Sequence, residues 1–319
     1  MNDVARAAAA LRAGDLVAFP TETVYGLGAD ATQAQAVARI FAAKGRPADH
    51  PLIVHLPDAG HLERWATDIP DTARRLAGTF WPGPLTLILR RAAGVLDALT
   101  GGQDTIGLRV PDHPLALALL REFGGGVAAP SANRFGHVSP TTAAHVREEL
   151  GDAVAVVLDG GPCSVGIEST ILDLSGPTAR ILRPGMLDAA TIGAVIGAVP
   201  STASAGGSVP RVSGSLETHY APRTPMRLLP EDEIATQARI AADAGQRVAA
   251  LAPPRSGGDP RVTWRDASAD PDRYAHDLYA RLRELDALGG DLLLVALPPA
   301  TEDWAAIRDR LGRAAGSPK

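Results

Sequence analysis

From Leu16 to Ala198 short apolar runs alternate with longer amphipathic stretches; the alternation stops at Pro200 and resumes at Met226. That rhythm restricts the chain to α/β folds, because the runs have strand length and the stretches between them carry helix signals. In the first part Leu16–Phe19, Leu52–Leu56, Leu85–Leu89, Ile106–Val110, Val154–Leu158, Ile167–Leu172 and Ile181–Leu182 read as strands. Helices are expected from Asn2 or Asp3 to near Gly14, from a Thr32 cap to about Ala43, over Pro114–Phe123, from a Ser139 cap with Pro140 in the first turn, and over Asp188–Ala198. Residues 200–225, rich in Ser, Gly, Pro and Thr, have the chemistry of a linker. Beyond them, strands at Met226–Leu229, Arg247–Ala252 and Leu292–Leu297 alternate with helices at Glu231–Ala244, Tyr274–Leu288 and Trp304–Leu311. This predicts a small, mostly parallel, doubly wound domain of Rossmann-like type. The expected organisation is a domain over 1–199, a linker over 200–225 and a second domain over 226–319.

Charge and cysteine usage narrow the function classes. A formal net charge of −5 over 319 residues argues against a protein that holds nucleic acid by bulk charge. The single cysteine, Cys163, excludes an intramolecular disulfide and a cysteine-rich zinc site. The start of the chain lacks the pattern of a secretory signal, and no segment is apolar enough to span a membrane, so a cytoplasmic location is expected. Lysine occurs only at Lys44 and Lys319, in a chain that otherwise uses arginine. Lys44 is therefore a candidate for a role that needs a compact ammonium.

Polar residues interrupt the apolar pattern at a few strand ends, where α/β sheets bind ligands. The string Pro20-Thr21-Glu22-Thr23-Val24-Tyr25-Gly26-Leu27-Gly28 packs hydroxyls, a carboxylate and two glycines into one turn, and its glycines would let backbone amides approach a ligand. Lys44-Gly45-Arg46, followed by His50 and His55, reads as a cationic loop suited to a polyphosphate. Phe80-Trp81-Pro82-Gly83-Pro84-Leu85-Thr86 reads as a rigid entry to a strand. Arg109, inside an apolar strand, needs a partner if buried: a structural carboxylate or, the favoured choice, the carboxylate of a ligand. Ser131 and Asn133 form a Ser-x-Asn turn, and Glu168-Ser169-Thr170 is followed by Arg183. No phosphate-binding P-loop and no Rossmann glycine fingerprint is present. From the residues alone the reading reaches a nucleotide or polyphosphate site.

Taken together and in order, these strings resemble the threonylcarbamoyl-AMP synthase (YrdC-type) family, in its long two-domain form. The matching strings are Pro20–Gly28, Lys44-x-Arg46, Pro51–His55, Trp81–Pro84, Gly107–Pro111, Pro130–Asn133, Glu168–Thr170 and Arg183–Gly185, with His219-Tyr220-Ala221-Pro222 in the linker. The resemblance implies a twisted mixed sheet with flanking helices and a concave, positively lined cavity. It also implies synthesis of threonylcarbamoyl-AMP from L-threonine, bicarbonate or CO2, and ATP, with Mg2+ accompanying the ATP. Downstream, a complex would transfer the threonylcarbamoyl group to an adenosine next to the anticodon of certain tRNAs, with a weak tRNA contact by this chain itself left open. Carried over residue by residue, threonine would meet Thr23, His55, Arg109, the Ala129 backbone and Ser169. ATP would meet Lys44, Arg46, His50, Thr105, Ser131, Asn133, Ser139, Arg183 and Tyr220, with Lys44 and Arg46 as the catalytic cations and no protein metal ligand. Tyr220 would serve as the aromatic of a lid. At His50 the family pattern more often has asparagine.

Two other readings are kept open. One is a carbamoyl-adenylate-forming protein of the hydrogenase-maturation type, although this chain has neither the length nor the cysteines of such proteins. The other is an RNA-binding module, against which the acidic total and the scarcity of aromatic residues count.

Overall fold

The computed structural model describes residues 3–202, 209–214, 218–254 and 257–316. It resolves into two compact units, Met1–Phe135 with Pro140–Ser215, and Gly136–Ser139 with Leu216–Lys319. The expected linker is thus shared between the two at about residue 215, and its residues 203–208 and 215–217 lie outside the described ones.

The first unit is built on one mixed sheet, with eleven strands among the described residues. In chain order these are β1 (Val17–Phe19), β2 (Gly26–Asp30), β3 (Ile53–His55), β4 (Ala66–Thr67), β5 (Leu85–Arg91), β6 (Thr105–Arg109), β7 (Val127–Ala128), β8 (Val156–Val157), β9 (Thr170–Asp173), β10 (Arg180–Arg183) and β11 (Ser201–Thr202). They are ordered β11-β10-β9-β5-β6-β3-β7-β2-β1-β8, with β4 beside β5. The pairs β3/β6 and β5/β9 are parallel, whereas β5/β6, β3/β7 and β2/β7 are antiparallel. Side chains alternate between the faces of each strand. One set, including Val54, Leu87, Leu89, Leu108 and Leu172, enters the main core with Val37, Ile40 and Leu76 from the helices Ala34–Lys44 and Asp71–Phe80. A second core joins Leu11, Leu119 and Leu120, from the helices Asp3–Arg12 and Pro114–Phe123, to Val17, Phe19 and Val127.

Three local expectations are corrected. The Pro20–Gly28 string is not one turn: the chain leaves β1 at Phe19, loops, and returns at Gly26 as β2, antiparallel to β1. Its glycines serve sheet packing, since a Cβ on Gly28 would lie 2.9 Å from both the Phe19 ring and Val127. Thr32 does not cap the helix at Ala34; its hydroxyl donates to Asp30 Oδ1 (2.7 Å). Ser139 does not start a helix either. The helix begins at Ala143, because Thr142 can accept from the His145 amide (3.3 Å), while the Pro140 carbonyl is taken up by the Tyr25 amide (2.9 Å).

The second unit carries a four-stranded, wholly parallel sheet, β12 (Met226–Leu229), β13 (Val248–Ala252), β14 (Thr263–Asp266) and β15 (Leu292–Ala296), ordered β12-β15-β13-β14. β14 was not expected from the sequence, because its alternation is short and all of its residues keep some exposure. The helix Pro271–Asp286 starts three residues earlier than predicted, with Asp270 accepting from the Arg273 amide (2.8 Å). Ser139 and Tyr220 both belong to this unit. Tyr220 has φ of 63°, is buried, stacks on Tyr279 at 5.7 Å and lies 5.4 Å beneath the Arg310 guanidinium. No described helix is long and apolar enough to cross a membrane.

Replacing Gly28 by alanine pushes a methyl group into Phe19 and Val127 and should cost about 1–3 kcal/mol. Urea unfolding of the first unit would register this as a lower midpoint, and an unchanged midpoint would contradict the packing role.

Candidate active site

The sheet face opposite the main core carries the polar residues singled out in the sequence. His55 pairs with Arg109 and Ile53 with Gly107, and Ile88 faces Gly107 across the antiparallel pair. Thr86, Ile88, Gly107, Arg109, Ile53 and His55 therefore project to the same side. In the middle of this face Ile53, Ile88 and Ile171 form an apolar floor with Val212, beside a groove of about 270 Å³, mouth included, that Thr105 helps to line. Polar groups gather at either end of the floor.

One end lies where β3 and β6 finish and β5 and β9 begin. Arg109 is 4% exposed, so its guanidinium must be matched group by group. Its Nε donates to the Gly83 carbonyl (3.1 Å) and its Nη1 to Thr23 Oγ1 (2.9 Å). Thr21 spends its hydroxyl proton on the Val24 carbonyl (2.6 Å), so Thr23 donates to Thr21 Oγ1 (2.8 Å) while accepting from Arg109. Arg109 Nη2 lies 2.6 Å from Glu22 Oε1. Of the two partners the sequence left open, the structural carboxylate is present. Ser169 Oγ sits 2.8 Å from Thr86 Oγ1. His55 is buried beside Arg109, its ring edge-on to Phe19 at 5.9 Å. Burial first, and the Arg109 charge second, pull its pKa down to about 3, so it is neutral at ordinary pH.

The other end adjoins the start of β3. The helix Ala34–Lys44 stops at Gly45, whose φ of 62° is the left-handed turn that glycine adopts without strain. That turn separates Lys44 from Arg46. Lys44 Nζ donates to the Ser131 and Asn133 carbonyls (2.5 Å each), which ties the Lys-x-Arg loop to the Ser-x-Asn turn. Burial, and next the neighbouring Arg46 charge, hold the Lys44 pKa well below that of an ordinary lysine. Arg46 Nη2 donates to the Pro51 carbonyl (3.0 Å) and Ser213 Oγ (3.3 Å), and its guanidinium lies 5.8 Å from the Phe135 ring centroid. His50 packs edge-on against the same ring at 5.3 Å, and burial ahead of Arg46 lowers its pKa. Ala129 spends its amide on the Ile53 carbonyl (2.9 Å), so a ligand would have to use its carbonyl.

Arg183 bridges the two ends. Its Nε and Nη2 donate to the Ser169 carbonyl (3.1 and 2.9 Å), Nη2 also to Ser169 Oγ (3.1 Å), and Nη1 to the Ser213 carbonyl (3.0 Å). The first unit thus joins Thr23, Arg109, His55 and Ser169 at one end of a floor, and Lys44, Arg46, Ser131 and Asn133 at the other. His50 and Thr105 lie close by, whereas Ser139 and Tyr220 are grouped with the second unit. Glu22, Thr86 and Ser213 had no individual role in the sequence reading. The lone arginine in an apolar strand was the signal that a carboxylate such as Glu22 had to exist. Among the described residues no three His, Cys, Asp or Glu side chains are grouped to hold a metal ion.

Comparisons with known proteins agree along the whole chain. The family model described as "Telomere recombination" matches residues 9–185, and the model described as "Threonylcarbamoyl-AMP synthase, C-terminal domain" matches residues 186–316. The threonylcarbamoyl-AMP synthase of Bacillus subtilis is 41% identical over 98% of this chain and 93% of its own length. That of Pyrococcus abyssi is 39% identical over 97% of this chain and 93% of its own length. A crystal structure of P. abyssi Sua5 complexed with L-threonine superposes with a TM-score of 0.90 at 37% identity, covering 98% of this chain and 94% of the other.

The neutral His55 makes a pH prediction. In the unfolded chain histidine binds a proton near pH 6.5, whereas in the folded unit it does so only near pH 3. Between those values the unfolded state holds the extra proton, so this residue destabilises the fold as pH falls, by at most about 1.4 kcal/mol per pH unit. The unfolding free energy of His55→Gln relative to wild type should therefore improve between pH 7 and pH 5 in urea titrations. A pH-independent difference would contradict the buried neutral ring.

Proposed function

Since the chain belongs to the threonylcarbamoyl-AMP synthase family, we propose that it makes threonylcarbamoyl-AMP from L-threonine, bicarbonate or CO2, and ATP, as a nucleotidyltransferase working in the cytoplasm. One observation carries this reading: two polar ends of a single sheet face, one suited to an amino acid and one to a polyphosphate, are joined by Arg183. At the first end the Arg109 charge draws the threonine carboxylate, beside Thr23, neutral His55 and Ser169. The threonine nitrogen, once deprotonated, takes up CO2 to become a carbamate; starting from bicarbonate, that step releases one water. The carbamate oxygen attacks the α-phosphorus of ATP, the bond to pyrophosphate breaks, and the mixed anhydride remains.

Carbamate and triphosphate repel each other, so the site's main task is to neutralise charge and hold geometry. Lys44, Arg46 and Arg183 supply that neutralisation. An approaching polyphosphate would also reverse the lowering of the Lys44 pKa, because a nearby anion favours the ammonium. Mg2+ would arrive with the triphosphate, its remaining ligands phosphate oxygens and water. The labile product calls for a receiving enzyme that moves the threonylcarbamoyl group onto a tRNA adenosine.

Pyrophosphate release measured with and without L-threonine and bicarbonate tests the reading. Release should require both, and Lys44→Ala should lower it by about two to three orders of magnitude, the scale of losing a fixed charge at the reacting phosphorus. Release indifferent to threonine, or undiminished in the variant, would overturn it.

A further inference from the structure

Glu149 sits where neither its helix nor its surroundings favour an anion. It is buried, and it lies in the last turn of the helix Ala143–Leu150, at the negative end of the helix dipole. Its Oε2 accepts from the Arg134 amide (3.0 Å), and Arg134 Nε donates to the Glu149 main-chain carbonyl (3.1 Å). The Arg134 N–H and the Asn133 carbonyl are the two ends of one peptide group. On the carbonyl end of that same peptide sits Lys44 Nζ, at 2.5 Å. A carboxylate and a lysine amine thus face each other through a single planar peptide, no more than about 8 Å apart by its bond lengths. The following peptide closes the loop, since the Phe135 amide donates to the Lys44 carbonyl (2.8 Å).

An anion on the N–H end polarises a peptide and makes its carbonyl a stronger acceptor, so Lys44 is held more firmly in its seat. The same anion favours the charged form of Lys44, whereas burial and the neighbouring Arg46 cation both oppose it. Arg46 and Glu149 are the two charged groups that bear on this amine. We propose that Glu149 is a positioning residue for the nucleotide transfer: through the Asn133–Arg134 peptide it fixes the seat of Lys44 and maintains its positive charge. The proposal rests on the Lys44 reading above and adds to it a residue that needs no contact with either substrate. A glutamine at this position could accept the same Arg134 N–H but would bring no charge, so Glu149→Gln separates electrostatics from hydrogen bonding.

Lysine occurs only at Lys44 and Lys319, so NMR of the full chain with lysine isotope-labelled at Cε follows each amine separately as pH is raised. Removing an anion lets the Lys44 amine lose its proton sooner. In Glu149→Gln its midpoint should therefore fall by about one pH unit, the scale of losing an opposite charge at that distance, while Lys319 stays in place. The alkaline limb of kcat/KM for threonine-dependent pyrophosphate release should move down with it, the rate below the limb staying within about threefold of wild type. A purely structural role would scale the whole profile and leave both the limb and the Lys44 midpoint where they are, which would overturn the proposal. In wild type the Arg134 amide signal should titrate with the Lys44 midpoint, because the two flank one peptide. An Arg134 amide indifferent to that titration overturns the proposal without any variant. If Lys44→Ala releases pyrophosphate undiminished, the Lys44 reading fails and the proposal with it. If Lys44→Ala loses release while the midpoint in Glu149→Gln stays put, only the role of Glu149 fails.

Discussion

Burying arginine on a sheet face is the constraint from which the first unit's design follows. Arg109 and Arg183 are each 4% exposed, and neither can sit there without compensation for lost water. The compensation comes from chain segments far apart in sequence: Gly83, Thr23 and Glu22 for Arg109, and Ser169 with Ser213 for Arg183. Each guanidinium thus pins several loops to the strand ends. The same pinning that lets the charges be buried also fixes their direction. Preorganisation of this kind is what a reaction between two anions needs, since little binding energy is then lost to ordering the site.

Much of this was legible in the sequence, and the reasons are local. Arg109 stood out because a charge interrupted the alternation of Ile106 and Leu108, and Lys44 because it was the sole internal lysine in an arginine-rich chain. The helix Pro114–Phe123 was bounded correctly, because proline in its first turn and Gly124 after its end are strong markers. The strand β2 was missed for the opposite reason. Gly26-Leu27-Gly28-Ala29-Asp30 has no β-branched residue, and its glycines read as a turn, whereas their purpose is to let β1 and β7 pack closely. The helix start expected at Ser139 failed because Thr142, three residues on, is the cap, while the Pro140 carbonyl is taken by the distant Tyr25 amide, a tertiary bond that the local pattern does not reveal. That the carboxylate demanded by Arg109 would be Glu22 was out of reach, since their pairing joins a loop to a distant strand.

The stretch after Pro200 is more than a tether in its first half. Val212 enters the apolar floor with Ile53, Ile88 and Ile171, and Ser213 is the common partner of Arg46 and Arg183. Its composition reads as linker because Ser, Gly and Pro carry no periodicity, yet one valine and one serine are enough to dock it. Lys44 shows a related economy: a residue expected only to offer charge also joins two loops through the Ser131 and Asn133 carbonyls.

On the proposed function, one sheet face organised by its buried cations receives both an amino acid and a nucleotide. A crystal structure of the chain with L-threonine and a non-hydrolysable ATP analogue tests this most directly. The account predicts the threonine carboxylate on Arg109 and the phosphates among Lys44, Arg46 and Arg183, with the threonine nitrogen directed toward the α-phosphorus. Threonine or triphosphate seated away from these side chains, with Arg109 and Arg183 still serving only Gly83, Thr23, Glu22, Ser169 and Ser213, would contradict it.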